Sequence, residues 1–349
     1  MATYVAEDLN DPTLYFETLI WTGDGNTPRT LTGLDFAPNM IWSKRRDDAA
    51  GHNVLDSVRG AGANAELCPS STGAEGSNAA ETYGYLSAFT SDGFTVTAGS
   101  SDNAYWNNNT ATYVAWCWKE SATAGFDIVS YTGQGDGTAS SALNVSHSLS
   151  AVPHWMWVKN RADSTQHNIY HHKNTSAPAT EIIYLNLTNA TSDDNGFWND
   201  TAPTSSVFTV GGDNGTNGNS DGMIAYLWSE KQGYSKFGSY TGNGNADGAF
   251  VYTGFRPAFV MLKNTTDARN WIIVDNKRLG YNTITSALYP DNNDAEASAS
   301  GDPVMDILSN GFKLRDTSDH WNESGDTFIY MAFAEQPFVN SKGVPCNAR

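Results

Sequence analysis

The sequence predicts an all-β protein built from three tandem antiparallel β-sandwich domains of a jelly-roll-like type. A six-residue apolar run occurs three times, at residues 113–118 (YVAWCW), 223–228 (MIAYLW) and 328–333 (FIYMAF). Each run is rich in aromatic residues and has the length of a strand that is buried on both faces. Because the run returns after about 105 to 110 residues, we interpret it as the closing strand of a repeated domain.

Composition supports this fold class and limits the function. The 32 glycines of the 349 residues suit turns between short strands. With 20 basic against 38 acidic residues, the net charge is −18, which disfavours nucleic acid and anionic membranes as partners. The sequence shows no apolar run of membrane-spanning length and no signal peptide. Its three cysteines fit neither a disulfide framework nor a zinc site.

The repeat divides the chain into five segments. We expect an N-terminal arm at 1–13 and a C-terminal tail at 337–349. Between them lie copy one (14–121), copy two (122–232) and copy three (233–336). The links at 120–125 and 230–236 are short, so neighbouring copies should touch and could imitate a trimer within one chain.

Each copy opens with a strand that runs into an aromatic-Thr-Gly-x-Gly block. The block reads WTGDG at 21–25, YTGQG at 131–135 and YTGNG at 240–244. Since glycine tolerates positive φ, we expect a tight hairpin there.

A Pro-x5-Lys block follows at 38–44, 153–159 and 257–263. Proline is tolerated at the first residue of a strand, and the apolar run behind it predicts a buried strand. The repeated Lys44, Lys159 and Lys263 could be functional. We favour structural lysines whose stems lie on aromatic rings and whose ammonium groups stay near water.

The third block ends in Asp56 in copy one and Asp275 in copy three, with His171 at that place in copy two. A long polar connection follows at 60–82, 172–203 and 276–306, and it differs most between copies. These connections are either specificity loops or plain solvated insertions. Copy two therefore appears as the divergent copy.

Nine of the eleven tryptophans fall into two groups. Six lie in strand blocks and are expected in the core, as is Met261, the counterpart of Trp42 and Trp157. Trp106, Trp198 and Trp321 lie in Gly/Asn/Asp-rich loops, where we expect glycan or subunit contacts.

We expect no cofactor and no dedicated metal site. His171 and His172 are adjacent and would point to opposite faces of a strand, so we place them and His167 in surface loops. Residues 213–221 and 291–294 carry oxygen ligands that could bind calcium, or they form ordinary polar turns.

Taken together, these blocks resemble a repeat domain of structural proteins of tailed bacteriophages, especially marine ones. The matching features include the aromatic-Thr-Gly-x-Gly block and the Pro-x5-Lys block. They also include DSVRG at 56–60, SDGF at 91–94 and YVAWCW at 113–118. Copy two lacks the DSVRG block. The resemblance implies β-sandwich domains with attachment or surface roles, and it implies no catalytic residues.

We therefore expect a virion structural protein, assembled in the host cytoplasm, in a tail fibre or appendage that attaches to host-surface glycans. The alternatives are a capsid decoration or head-fibre protein and, from another class, a glycan-degrading appendage enzyme. An enzyme would need a carboxylate pair, and only Asp56 and Asp275 recur, so we expect no catalysis. Other virion proteins and further copies of the chain are the expected partners.

Overall fold

A computed structural model describes residue 9 and residues 11–138, 141–279, 282–298 and 304–334. Regular structure in this part of the chain is almost entirely antiparallel β-sheet, which confirms the predicted all-β sandwich class. Its α-helices are four residues long each, and none could span a membrane. Most of the predicted N-terminal arm and the whole predicted tail lie outside the described residues.

Copy one contains seven strands, an α-helix and a 3-10 turn at Ala63–Ala65, and another 3-10 turn, Pro12–Leu14, joins it to the predicted N-terminal arm. Its elements are β1 (Phe16–Thr22), β2 (Arg29–Thr32), β3 (Met40–Arg45), β4 (His52–Asp56), α1 (Ala80–Tyr83), β5 (Tyr85–Thr90), β6 (Gly93–Thr97) and β7 (Thr112–Trp118).

The described residues of copy two form eight strands, two α-helices and a 3-10 turn at Pro178–Thr180. Its elements are β8 (Phe126–Thr132), β9 (Leu143–Ser146), β10 (Trp155–Asn160), β11 (Asn168–His171), β12 (Glu181–Tyr184), β13 (Ser192–Asp193), α2 (Asn195–Trp198), β14 (Val207–Val210), α3 (Asn214–Asn217) and β15 (Gly222–Trp228).

In copy three the described residues form nine strands. They are β16 (Ser235–Thr241), β17 (Phe250–Tyr252), β18 (Pro257–Asn264), β19 (Ile272–Asp275), β20 (Ser286–Ala287), β21 (Ala297–Ser298), β22 (Met305–Leu308), β23 (Gly311–Leu314) and β24 (Thr327–Ala334).

The same two-sheet plan occurs in every copy. An inner sheet has the order β1-β7-β3-β4 in copy one and β16-β24-β18-β19 in copy three. In copy two the equivalent order β8-β15-β10-β11 is extended by β12 and β13. The outer sheets are β2-β6-β5, β9-β14 and β17-β23-β22. In each copy the closing strand lies between the opening strand and the Pro-x5-Lys strand, which places its apolar run inside the protein.

The closing strands are buried on both faces because each face meets a different core. In β7, residues 113, 115 and 117 pack into the sandwich core of copy one, whereas residues 114, 116 and 118 point to the other two copies. The β15 and β24 strands divide their residues in the same way. The near-continuous apolar runs follow from this double burial.

The three inner sheets share one aromatic core. Trp42 lies 5.3 Å from Trp157, and Phe16 lies 5.2 Å from Phe333, between ring centroids. Strand register pairs Trp42, Trp157 and Met261 with equivalent positions of the closing strands, which agrees with the predicted core equivalence. The short links thus bring the copies into contact, as expected.

The expected hairpin at the aromatic-Thr-Gly-x-Gly block is wrong. The block connects strands of different sheets, since β1 pairs with β7 and β2 pairs with β6. Its first glycine is needed for close backbone approach: a Cβ on Gly23 would lie 1.9 Å from the carbonyl oxygen of Asn108. A Cβ on Gly133 or on Gly242 would likewise lie 2.1 Å from the equivalent carbonyl oxygen.

Candidate functional site

The repeated polar residues of the third block lie at the contacts between copies. Asp56 of copy one is fully buried and accepts a hydrogen bond from the Tyr226 hydroxyl of copy two at 2.7 Å. Asp275 of copy three accepts one from Trp116 Nε1 of copy one at 3.0 Å. The equivalent His171 of copy two lies 3.2 Å, from Nε2, from a carbonyl oxygen of copy three. Copy one therefore contacts copy two, two contacts three, and three contacts one, in a closed ring.

A second set of equivalent bonds joins the backbones of neighbouring copies. In each case a residue of the long connection donates its N–H to the residue two positions after the repeated lysine of the next copy. The pairs are Glu75 to Arg161 (2.9 Å), Thr191 to Thr265 (3.1 Å) and Glu296 to Arg46 (2.7 Å). The long connections, interpreted from sequence as specificity loops or insertions, thus hold the neighbouring copy.

A third set joins a ring nitrogen of one copy to a carbonyl oxygen in the long connection of the preceding copy. The pairs are His52 Nε2 with Tyr289 (3.0 Å), His167 Nε2 with Cys68 (3.1 Å) and Trp271 Nε1 with Tyr184 (2.8 Å). Since the three pairs occupy equivalent positions, every interface has the same backbone frame.

Two of the three interfaces add a network of charges, which we call the charged clamp. At the interface of copies one and two, Arg59 donates to Asp56 at 2.5 Å and to Glu75 at 2.9 Å. Arg161 of copy two binds the other oxygen of Glu75 at 2.8 Å. Burial by itself would lower the pKa of the Arg59 guanidinium, but the nearby oxygens of Tyr226, Asp56 and Glu75 outweigh it and raise that pKa.

The charged clamp is repeated where copy three meets copy one. Arg278 donates to Asp275 at 2.6 Å and to Glu296 at 2.8 Å. Arg46 of copy one then binds Glu296 at 2.7 Å. In both clamps the other aspartate oxygen accepts backbone N–H groups two and three residues further on. Asp56 and Asp275 are therefore buried and fully engaged in structural bonds.

The interface of copies two and three carries a neutral clamp at the same positions. His171 replaces the aspartate, Asn174 replaces the arginine, and Thr191 replaces the glutamate. The Thr191 hydroxyl donates to Asn174 Oδ1 at 2.6 Å. Thr265 stands where the other copies have Arg46 and Arg161. Copy two and its neighbour thus keep the geometry without the charges.

Histidines cluster at the neutral clamp. The ring of His172 lies 4.4 Å from His154 and 5.5 Å from His171, between centroids. Burial lowers the pKa of His171 to about 3 and that of His172 to about 4. The expected surface-loop position is wrong for His171 and His167, which are completely buried, because each lies on or beside the inner sheet at an interface.

The family described as "Domain of unknown function (DUF7483)" matches residues 11–337. The chain belongs to this family. The DUF7483 match spans all three copies, so the family unit includes the complete ring. No curated protein matches the chain.

The three repeated lysines of this DUF7483 chain are structural, but their predicted contact with water is wrong. Lys44, Lys159 and Lys263 are completely buried, and their Nζ atoms donate to backbone carbonyl oxygens. Lys263 also reaches the carbonyl of Thr188 in copy two at 3.0 Å. Burial lowers the pKa to about 8 for Lys44 and Lys159 and to about 7 for Lys263.

The three loop tryptophans are not surface residues. Trp106 and Trp198 have no exposed surface and Trp321 is 4% exposed, so the expected glycan or subunit contact at these positions is wrong. Each indole fills the sandwich core of its own copy. The carbonyls of Trp106 and Trp321 accept hydrogen bonds from Trp21 and Tyr240 of the opening strands.

Carboxylates of the segments considered for calcium accept hydrogen bonds from neighbouring residues. Asp213 caps α3 by accepting from the Gly215 N–H at 2.7 Å, and Asp221 accepts from Asn160 at 2.7 Å. Asp291 accepts from the Trp271 N–H at 3.0 Å. Within the described residues, no group of three or more His, Cys, Asp or Glu side chains is arranged to hold a metal.

Sequence reasoning identified the aspartates but missed their partners. Arg59 and Arg278 each follow an aspartate by three residues, and Arg46 and Arg161 each follow a repeated lysine by two. These repeated offsets could have identified the arginines as candidate partners of the aspartates and glutamates from the sequence. A buried asparagine was also missed, although it recurs at the copy period: Asn107, Asn217 and Asn322 each accept from the backbone of the Gly-x-Gly block.

Proposed function

We propose that this chain is a structural protein of a tailed-bacteriophage virion, acting in a tail fibre or similar appendage that contacts the host surface. The closed ring of three copies is the observation that carries the proposal. Three equivalent sets of bonds and one shared aromatic core make a single chain resemble a trimer. Such a unit suits a place on a threefold axis of a larger assembly.

The motif resemblance supplies the virion part of the proposal, and the chemistry of the site supports attachment over catalysis. The two carboxylates that the sequence singled out, Asp56 and Asp275, are buried and bound by arginines. They offer no acid/base pair to a glycosidic bond, which would require two available carboxyl groups in a cleft. The outer sheets do not form the shared core, and we assign them the contacts with other virion proteins, further copies of the chain or host glycans.

Labelling of intact virions tests the location. Antibodies raised against the purified chain should bind the tail appendage in electron micrographs. The purified chain added to host cells should reduce phage adsorption. Label on the capsid without inhibition of adsorption would instead favour a decoration or head-fibre protein. Release of oligosaccharides from host polysaccharide would favour the enzyme, and absence of the chain from purified virions would overturn the proposal.

A further inference from the structure

Copy three exposes two aromatic side chains on one short strand. On β17, Tyr252 is 63% exposed and Phe250 is 48% exposed, while Val251 between them is buried. The alternation follows from the strand, whose successive side chains point to opposite faces of the outer sheet. Tyr252 has the largest exposed fraction of the exposed large apolar side chains in the described residues.

The other copies have small polar residues at these positions. The buried Val251 corresponds to Leu31 of β2 and Val145 of β9, because each lies opposite the repeated phenylalanine of the neighbouring strand. The exposed positions beside them are Thr30 and Thr32 in copy one, and Asn144 and Ser146 in copy two. The sandwich therefore does not need aromatic rings there.

The surroundings of the two rings include a glycine and carry balanced charges. Phe250 lies against Gly311, which has no side chain to cover it. Lys313 next to it is paired with Asp247 at 2.6 Å, and Arg315 is paired with Asp306 at 3.1 Å. Two cations and two anions thus border an apolar platform.

The size of the platform indicates its occupant. A specific protein interface buries roughly 800 Å² on each partner. Two half-exposed aromatic side chains offer on the order of 200 Å². A sugar ring has an area of this order, a flat C–H face for an aromatic ring, and hydroxyl groups for the charged border.

We infer that Phe250 and Tyr252 form a binding platform for a neutral saccharide. The inference deepens the proposed attachment function and rests on it for its biological meaning. A neutral ligand fits because the border has no excess charge and the whole chain, at −18, repels polyanionic glycans.

An oligosaccharide array tests the platform on the purified chain. The probes are immobilised neutral oligosaccharides of hexoses and N-acetylhexosamines, with sulfated polysaccharides beside them. We expect binding to neutral probes, weakened roughly threefold to tenfold by each of Phe250→Thr and Tyr252→Thr. Threonine occupies both positions in copy one, so these variants should fold. Tyr83→Thr, which removes a 37% exposed tyrosine from copy one, is the matched control and should bind normally.

Several results would overturn the inference. They are the absence of binding to every neutral probe, equal binding by the double variant, or preference for sulfated probes. A dimer of the wild-type chain that the double variant abolishes would show that a second copy occupies the face. Because the array does not involve virions, failure on the array with successful appendage labelling would reject the platform alone. Saccharide binding by a chain absent from virions would reject the proposed function alone.

Discussion

The charged and neutral clamps solve the same packing problem with different chemistry. Both have the same backbone bond and the same ring-to-carbonyl bond. Both also reach the closing strand of the next copy, Asp56 through the Tyr226 hydroxyl and His171 through the backbone carbonyl of Tyr330. One places Asp, Arg, Glu and Arg at four positions, and the other places His, Asn, Thr and Thr there. The frame therefore does not depend on charge.

The two kinds of clamp differ in charge: all four positions carry charged side chains in the charged clamp, and none of them does in the neutral clamp. A buried charge that loses its partner costs several kcal/mol, whereas a complete neutral set can be nearly as stable as a complete ionic one. A mixed clamp would leave a buried ion unpaired. The ring is thus held by apolar packing and backbone bonds, while the charges make two interfaces intolerant of partial change.

The largest effect should come from removing one arginine of a charged clamp. Arg59→Met leaves Asp56 and Glu75 without their shared cation, and we expect a loss of about 3 kcal/mol in the free energy of unfolding. Urea denaturation at pH 7 measures it. Asn174→Ala at the neutral clamp is the matched control and should cost about 1 kcal/mol. Equal losses in the two variants would contradict the distinction between the clamps.

Acid should act on the histidines of the neutral clamp. The pKa of His171 is about 3 in the folded chain against an ordinary 6.5. Between these values the unfolded chain binds a proton that the folded chain does not, so stability is lost as pH falls from 6.5 towards 3. The neighbouring charged and titratable groups are His154, His172, Lys173, Glu230 and Lys236.

His171→Gln should remove about 2 kcal/mol of this loss between pH 6.5 and about 5, because the variant has no proton to bind. Denaturation by urea across that range measures the difference, with the half-buried His147 changed to Gln as control. An unchanged pH dependence in His171→Gln would show that the acid sensitivity lies elsewhere.

Converting a whole charged clamp should cost less than breaking it. The five-fold variant D56H/R59N/E75T/R161T/Y226M copies the neutral residues into the interface of copies one and two, including the methionine found at 331. We expect a loss of about 1 kcal/mol, well below that of Arg59→Met, because no buried ion remains unpaired. Thermal and urea unfolding test this order, and a loss exceeding that of Arg59→Met would refute it.

The smallest expected effect concerns the lysine at the neutral interface. The pKa of Lys263 is about 7 and that of Lys159 about 8, against an ordinary 10.5. From pH 7 to about 8 the unfolded chain keeps a proton that the folded chain releases, so stability should rise with pH. Lys263→Met should remove about 1 kcal/mol of this rise, and Lys159→Met less. Identical pH profiles for wild type and Lys263→Met would contradict the prediction.

The sequence by itself determined the strands, the repeat and the core positions. A strand buried on both faces must be apolar along its whole length, so β7, β15 and β24 are visible as runs, and their spacing shows the period. The divergence of copy two was also visible in the sequence, since His171 stands where the other two copies have an aspartate.

Tertiary structure alone decided which side chains meet and which are exposed. Trp106 is followed by three asparagines, whereas Tyr252 lies in an aromatic, largely apolar run, yet the first is buried and the second faces solvent. The polarity of the neighbouring residues in the sequence does not decide whether a side chain is exposed, because exposure depends on which distant parts of the chain pack over it. For the same reason Arg161 of copy two could be assigned as a partner of Glu75 in copy one only once the ring had brought the two copies together.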